Sequence, residues 1–138
     1  MRILVAPDKF KGTASAQVVA ESIRTALGND DTVYLQPLAD GGEGTVQAFG
    51  GPNRNDTVLD PHNNPVEAQW RLHGDFAVIE MAEASGLTLV GGPENNDPIA
   101  ATTYGTGQLI AIAIERGARE ILVGAGGSAT TDGGLGAL

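Results

Sequence analysis

Residues 1–45, MRILVAPDKFKGTASAQVVAESIRTALGNDDTVYLQPLADGGEGT, decide the fold. Residues 2–6 form an apolar run ahead of Pro7 and Asp8, the pattern of a strand buried on both faces of a parallel sheet. Residues 8–13 read as a loop, after which Thr13 or Ser15 caps a helix running to about Leu27. Within it Val19, Ile23, Ala26 and Leu27 recur at i, i+4, i+7 and i+8 and predict one buried stripe. Gly28 and Asn29 stop the helix, and residues 32–38 supply a second strand. A strand–helix–strand unit this short implies a parallel crossover. Open α/β sheets take ligands outside the carboxyl ends of their strands. The loops at 8–13 and 39–45 both open at that edge.

The pattern changes further along. Residues 41–49 read as a short helix introduced by glycines and closed by Gly50, Gly51 and Pro52. Residues 57–59, 66–72 and 77–81 read as three strands of an antiparallel meander, with turns at 60–65 and 73–75. Glu80 and Glu83 fall where the third strand ends, and acids three apart at a strand exit are expected to be solvated. Residues 104–107 lead into a helix over about 108–116, a strand follows at 120–123, and a glycine-rich run occupies 124–134. The expected class is α/β, with parallel Rossmann- or flavodoxin-like β-α-β units plus a short antiparallel meander. The expected organisation is a β-α-β segment at 1–52, the meander at 53–86, and the start of a second α/β segment at 87–138, truncated within it.

Composition narrows the chemistry. Glycine takes 20 of 138 positions, about twice the usual share, without a three-residue period, so the excess belongs to turns and close backbone approaches. The net charge of −9 argues against nucleic acid and against an anionic membrane surface. No run approaches membrane-spanning length and no signal peptide is recognisable, so the default expectation is a soluble cytoplasmic protein. The absence of cysteine removes disulfides, thiolate metal sites and thiol nucleophiles. His62 and His73 sit in no zinc-binding pattern, and both fall on the meander, away from Ser128, which leaves a serine hydrolase without its base.

Three glycine-bearing loops remain. Residues 8–13 bring together Asp8, Lys9, Lys11, Gly12 and Thr13, a carboxylate and two ammonium groups ahead of a helix N-terminus. Lys9 and Lys11 are the chain's only lysines, and the plain alternative for them is a solvated loop. Residues 39–45 carry Asp40 and Glu43 among Gly41, Gly42 and Gly44, followed by Thr45. The glycines suit a phosphate and the acids suit Mg²⁺ or proton abstraction. Residues 126–134 place Ser128, Thr130 and Asp132 among Gly126, Gly127 and Gly133. None of these loops fits a P-loop or a dinucleotide-binding fingerprint. Together they offer cations, hard acids and anion-cradling glycines, the inventory of phosphoryl transfer.

The start MRILVAPDKFKGTASA, the run ADGGEGT at 39–45, TYGTGQLI at 103–110 and GAGGSATTDGG at 124–134 together resemble bacterial glycerate kinases of the type-1 family. The resemblance covers the whole chain in order. It implies a two-domain α/β fold and phosphorylation of D-glycerate by ATP with Mg²⁺. Members of that family are far longer, so the chain is expected to be an incomplete, N-terminal part of the fold. Carried onto these motifs, Asp40 is the first choice for the base that accepts the glycerate hydroxyl proton, and Asp132 is the second. A helix N-cap is the alternative role for Asp132. Lys11 and Lys9, with Asp8 and Gly12 beside them, would face the substrate carboxylate or the transferring phosphoryl group. Gly41, Gly42, Gly44, Thr45, Gly126, Gly127, Ser128, Thr130 and Gly133 would line phosphates, and Asp40 and Glu43 would hold Mg²⁺. A non-catalytic anion- or nucleotide-binding module is the alternative. Exposed sheet edges also lead us to expect self-association, or association with the rest of the fold.

Overall fold

A computed structural model describes residues 1–10, 12–28 and 30–138. They divide into two compact units, Met1–Asp40 and Gly41–Leu138.

In the first unit, strands β1 (Arg2–Val5) and β2 (Thr32–Leu35) pair in parallel, with Arg2 opposite Thr32 and Val5 opposite Leu35. Helix α1 (Ala16–Leu27) crosses between them. Ser15 caps it by accepting from the Val18 N–H at 3.3 Å, and Gly28 ends it at φ 76, a left-handed angle that a side chain would strain. This is the expected β-α-β unit, but its burial differs from the sequence pattern. Val5 is buried in β1 while Leu4 is 66% exposed, and along α1 only Ala20 is buried, with Val19 half-covered and Ile23, Ala26 and Leu27 exposed. A two-stranded sheet gives each strand one neighbour and gives a helix only a narrow surface, so neither the doubly buried strand nor the full stripe forms. The second strand also stops at Leu35 rather than 38.

The second unit is a four-stranded sheet in the order β3-β4-β5-β6: β3 (Arg54–Leu59), β4 (Pro65–His73), β5 (Phe76–Glu80) and β6 (Glu120–Gly124). The first three pair antiparallel, as the meander predicted, and β6 joins β5 in parallel. Asp60 shapes the β3–β4 turn by accepting from the His62 and Asn64 N–H groups at 2.8 Å each. Helices α2 (Thr45–Ala48), α3 (Ala82–Ser85) and α4 (Tyr104–Glu115) complete it. Alternation puts Ala68 and Trp70 of β4, and Ala77 and Ile79 of β5, on one face, packed with Ala84, Leu109 and Ala113 of the helices. Trp70 is fully buried. Its Nε1–H donates to Asp56 Oδ2 at 2.8 Å, and the Arg116 guanidinium lies 5.7 Å from the ring while pairing with Asp56. No helix among the described residues is long and apolar enough to cross a membrane.

Helix α4 starts at Tyr104, four residues before the sequence placed it, so Gly105 and Gly107 are helical. A Cβ on Gly105 would lie 1.8 Å from the Leu59 carbonyl oxygen, and one on Gly107 would lie 2.7 Å from Ala137 Cα. These glycines let backbone press against helix. Gly105→Ala is therefore expected to destabilise the unit by at least about 1–3 kcal/mol, the usual cost of overpacking. A denaturant midpoint within error of wild type would contradict that contact.

Candidate functional site

In the first unit the loops after β1 and β2 lie side by side at the carboxyl edge of the parallel pair, joined by the Leu38 N–H donating to the Pro7 carbonyl at 2.9 Å. There Lys9 Nζ donates to Asp40 Oδ1 at 2.9 Å and stands 3.9 Å from Asp8 Oδ1. The ammonium is largely covered, with 19% of its side chain exposed, whereas Asp40 is 64% and Asp8 46% exposed. Two carboxylates thus open to solvent around one cation. Gly12, at φ 74, makes the turn in which the Thr13 and Ala14 N–H groups donate to the Phe10 carbonyl. Lys11 lies outside the described residues.

In the second unit the parallel pairing of β5 and β6 brings Glu80 opposite Gly124 at the carboxyl ends of these two strands. Two glycine loops meet there in backbone contact. The Gly126 N–H donates to the Gly41 carbonyl at 2.9 Å, and a Cβ on Gly126 would lie 2.5 Å from Gly42 Cα. A Cβ on Gly124 would lie equally close to the Gly41 oxygen, at 2.5 Å. Gly41 and Gly44 turn with φ 90 and 96, and Thr45 Oγ1 donates to the Gly42 carbonyl at 2.7 Å. Glu43 is exposed between them. We expect Gly126→Ala to part the two loops, read as faster amide exchange over residues 41–44 and 124–127. Unchanged exchange would contradict the packing.

The 126–134 loop is built largely from its own groups. The Ala129 N–H donates to the Ser85 carbonyl at 2.9 Å, and the Leu87 N–H donates to the Gly127 carbonyl at 2.8 Å. Ser128 faces Gly86 between these two bonds, so its own backbone N–H points away from that strand. Ser128 Oγ lies 3.0 Å from Thr130 Oγ1 and accepts from the Thr130 N–H at 3.0 Å. Gly127 and Gly133 adopt positive φ, 73 and 64. Asp132 Oδ2 accepts from the Thr103 N–H at 2.8 Å, the Thr103 hydroxyl at 2.7 Å and the Gly136 N–H at 3.2 Å, while Oδ1 accepts from the Gly134 N–H at 3.0 Å. Asp132 thus ties the loop to the start of α4.

Two acids take opposite shifts. Desolvation pushes Asp132 up, but the donors from Thr103, Gly134 and Gly136 outweigh it and hold its pKa at about 2, which makes it a weak base. Burial pushes Glu80 above the ordinary carboxylate value, against the lowering effect of the Val46 and Gly44 backbone donors. Asp132 therefore contributes stability that is full above its unfolded value near 3.8 and is lost as pH falls toward 2. Glu80 works in the other sense: the folded chain holds its proton more tightly, so stability falls as pH rises from the ordinary value through the raised one. Asp132→Asn is expected to cost about 1.5–3 kcal/mol at neutral pH and to flatten the acid limb of an unfolding profile. An unchanged acid limb would contradict the assignment.

Glu80 is the residue that the sequence pattern misplaced. It is 6% exposed rather than solvated, and its Oε1 accepts from the Val46 N–H at 2.6 Å. The signal lay in β5: Phe76, Val78 and Glu80 share the face opposite Ala77 and Ile79, and α2 packs against this strand. Glu83 is half-buried and accepts from the Gln69 N–H at 3.0 Å. Among the described residues no group of three or more His, Cys, Asp or Glu side chains is placed to hold a metal ion.

Known proteins are similar to this chain over nearly its whole length. The sequence model of the glycerate kinase family matches residues 3–138. A glycerate 2-kinase of Escherichia coli K12 is 46% identical over 145 aligned residues, covering 99% of this chain and 38% of the relative. A glycerate kinase of Haemophilus influenzae Rd is 43% identical, covering the whole chain and 39% of the relative. A crystal structure of a Salmonella typhimurium LT2 protein assigned as glycerate kinase 2 superposes with a TM-score of 0.82 at 42% identity, over 99% of this chain and 39% of that one. The chain thus spans well under half the length of the relatives it matches, and its α/β fold is a portion of theirs. The chain belongs to the glycerate kinase family.

Proposed function

We propose that the chain supplies part of a kinase that transfers the γ-phosphoryl group of ATP to a hydroxyl of D-glycerate, with Mg²⁺. The observation that carries this reading is the Lys9 ammonium held between the Asp8 and Asp40 carboxylates at the carboxyl edge of β1 and β2. Phosphoryl transfer asks for positioning and charge neutralisation more than covalent chemistry. In this reading the glycerate oxygen attacks the γ-phosphorus, the bond to the ADP oxygen breaks, and the hydroxyl proton passes to Asp40. Asp132 is the poorer base because four donors already hold its carboxylate. Lys9, with Lys11 nearby in sequence, offsets the negative charge of the substrate carboxylate or of the transferring group. Ser128, Thr130 and the backbone of Gly127 and Gly133 face phosphate oxygens, while the Gly126 N–H is taken by the Gly41 carbonyl of the neighbouring 41–45 loop. Asp40 or Glu43 would hold Mg²⁺ brought in with the nucleotide, and the metal would supply neutralisation of phosphate charge.

The test is ADP release in the presence of ATP, Mg²⁺ and D-glycerate. It is run on this chain alone and on a chimaera in which the chain replaces its matching segment of the Escherichia coli relative. Glycerate-dependent turnover by the chimaera is expected. The chain's 38% share of its relatives' length favours a second reading, an anion-binding portion without turnover of its own. That reading predicts an inactive isolated chain beside an active chimaera. A folded chimaera inactive on glycerate and on other hydroxy acids would end the kinase reading.

A further inference from the structure

Glu80 is an acid that the proposed chemistry leaves unused, yet it is buried at the carboxyl end of β5. A carboxylate out of water is tolerated only where donors replace its hydration. Here they are backbone N–H groups of Val46, at 2.6 Å, and of Gly44. Both belong to the turn that carries the glycine loop into α2, and Gly44 there holds φ 96. The Thr45 N–H between them donates to the Gly42 carbonyl, so the Gly44 and Val46 N–H groups flank a concavity suited to an anion, and the anion in this one is the chain's own. The charged groups facing Glu80 are Glu43, from the loop, and Glu83, from α3. The loop shaped in this way is the one whose Gly41 carbonyl accepts from Gly126 at the neighbouring loop.

We propose that Glu80 is a positioning residue: by filling the Gly44–Val46 concavity it fixes residues 41–45 and, through Gly41, the phosphate-facing 126–130 loop. The role in turnover rests on the kinase reading, whereas the hold on the loop does not. Glutamine keeps an acceptor oxygen in the same place and alanine removes it, so the pair separates the hydrogen bonds from the general packing of the site.

Amide hydrogen exchange on the 138-residue chain is the first measurement. Glu80→Ala is expected to speed exchange at Gly44 and Val46 about tenfold or more, while Glu80→Gln stays within about threefold of wild type. The Val46 amide resonance is expected to move with pH at a midpoint above the ordinary glutamate range, and to stop moving in Glu80→Gln. In the active chimaera Glu80→Ala is expected to raise KM for ATP about tenfold with a smaller fall in kcat, and Glu80→Gln to restore most of it. Unchanged Val46 exchange in Glu80→Ala overturns the proposal whatever the turnover. So does an altered loop with KM and kcat both within twofold of wild type. A chimaera inactive even with Glu80 present counts against the kinase reading alone, because the exchange comparison still decides the hold on the loop.

Discussion

Cutting Trp70 back to alanine is expected to destabilise the Gly41–Leu138 unit by about 3–5 kcal/mol, the range for removing a large buried aromatic. The indole is fully buried among Val58, Ala68, Ala77 and Ile79, so its loss leaves a cavity that small neighbours cannot fill. It also removes the Nε1–H that donates to Asp56 and the ring over which Arg116 lies. A domain of this size is stable by only about 5–15 kcal/mol, so the variant stands near the edge of folding. Urea unfolding followed by circular dichroism checks this without relying on the chain's single tryptophan as the probe. Trp70→Phe separates the two contributions: it keeps most of the volume but loses the donor, and should cost about 1–3 kcal/mol. A Trp70→Ala chain less than 1 kcal/mol below wild type would show that the indole does not anchor this core.

Asp40→Asn is expected to lower kcat about 10²–10⁴-fold in the active chimaera while KM for glycerate changes little, the signature of a lost general base. Asparagine keeps an oxygen for Lys9, so the 2.9 Å contact that ties the two loops of the first unit can persist while the basicity disappears. Lys9→Ala removes the cation instead and is expected to cost about 10²-fold or more in kcat through lost charge stabilisation. Variants with kcat within threefold of wild type would remove both residues from the chemistry.

Local signals in the chain carried much of this architecture. Ser15 and Gly28 bracket α1 because a side-chain cap and a left-handed glycine act within a few residues. The meander followed from period-two alternation and from the turns at Asp60 and Gly74, which depend on near neighbours. What stayed hidden depends on distant ones. Leu4, Ile23 and Leu27 have core-like spacing, yet they are exposed because a two-stranded sheet offers too little surface. Gly105 looked like part of a loop because the carbonyl of Leu59, far away in sequence, is what demands it. Asp40 and Lys9 were singled out as chemical groups, but their ion pair appears only when β1 and β2 lie side by side. Glu80 and Asp132 were both read as acids without surroundings. Burial between β5 and α2 raises one, and Thr103 with two glycine amides lowers the other.

Phosphoryl transfer to a hydroxy acid is tested most directly by ³¹P NMR of the chimaera's reaction with ATP, Mg²⁺ and D-glycerate. The expected result is one phosphomonoester resonance, coupled to a proton on a glycerate carbon, growing in step with ADP and absent with Asp40→Asn. ADP accompanied only by inorganic phosphate, or a folded chimaera that leaves ATP intact while the Escherichia coli relative consumes it, would contradict the account.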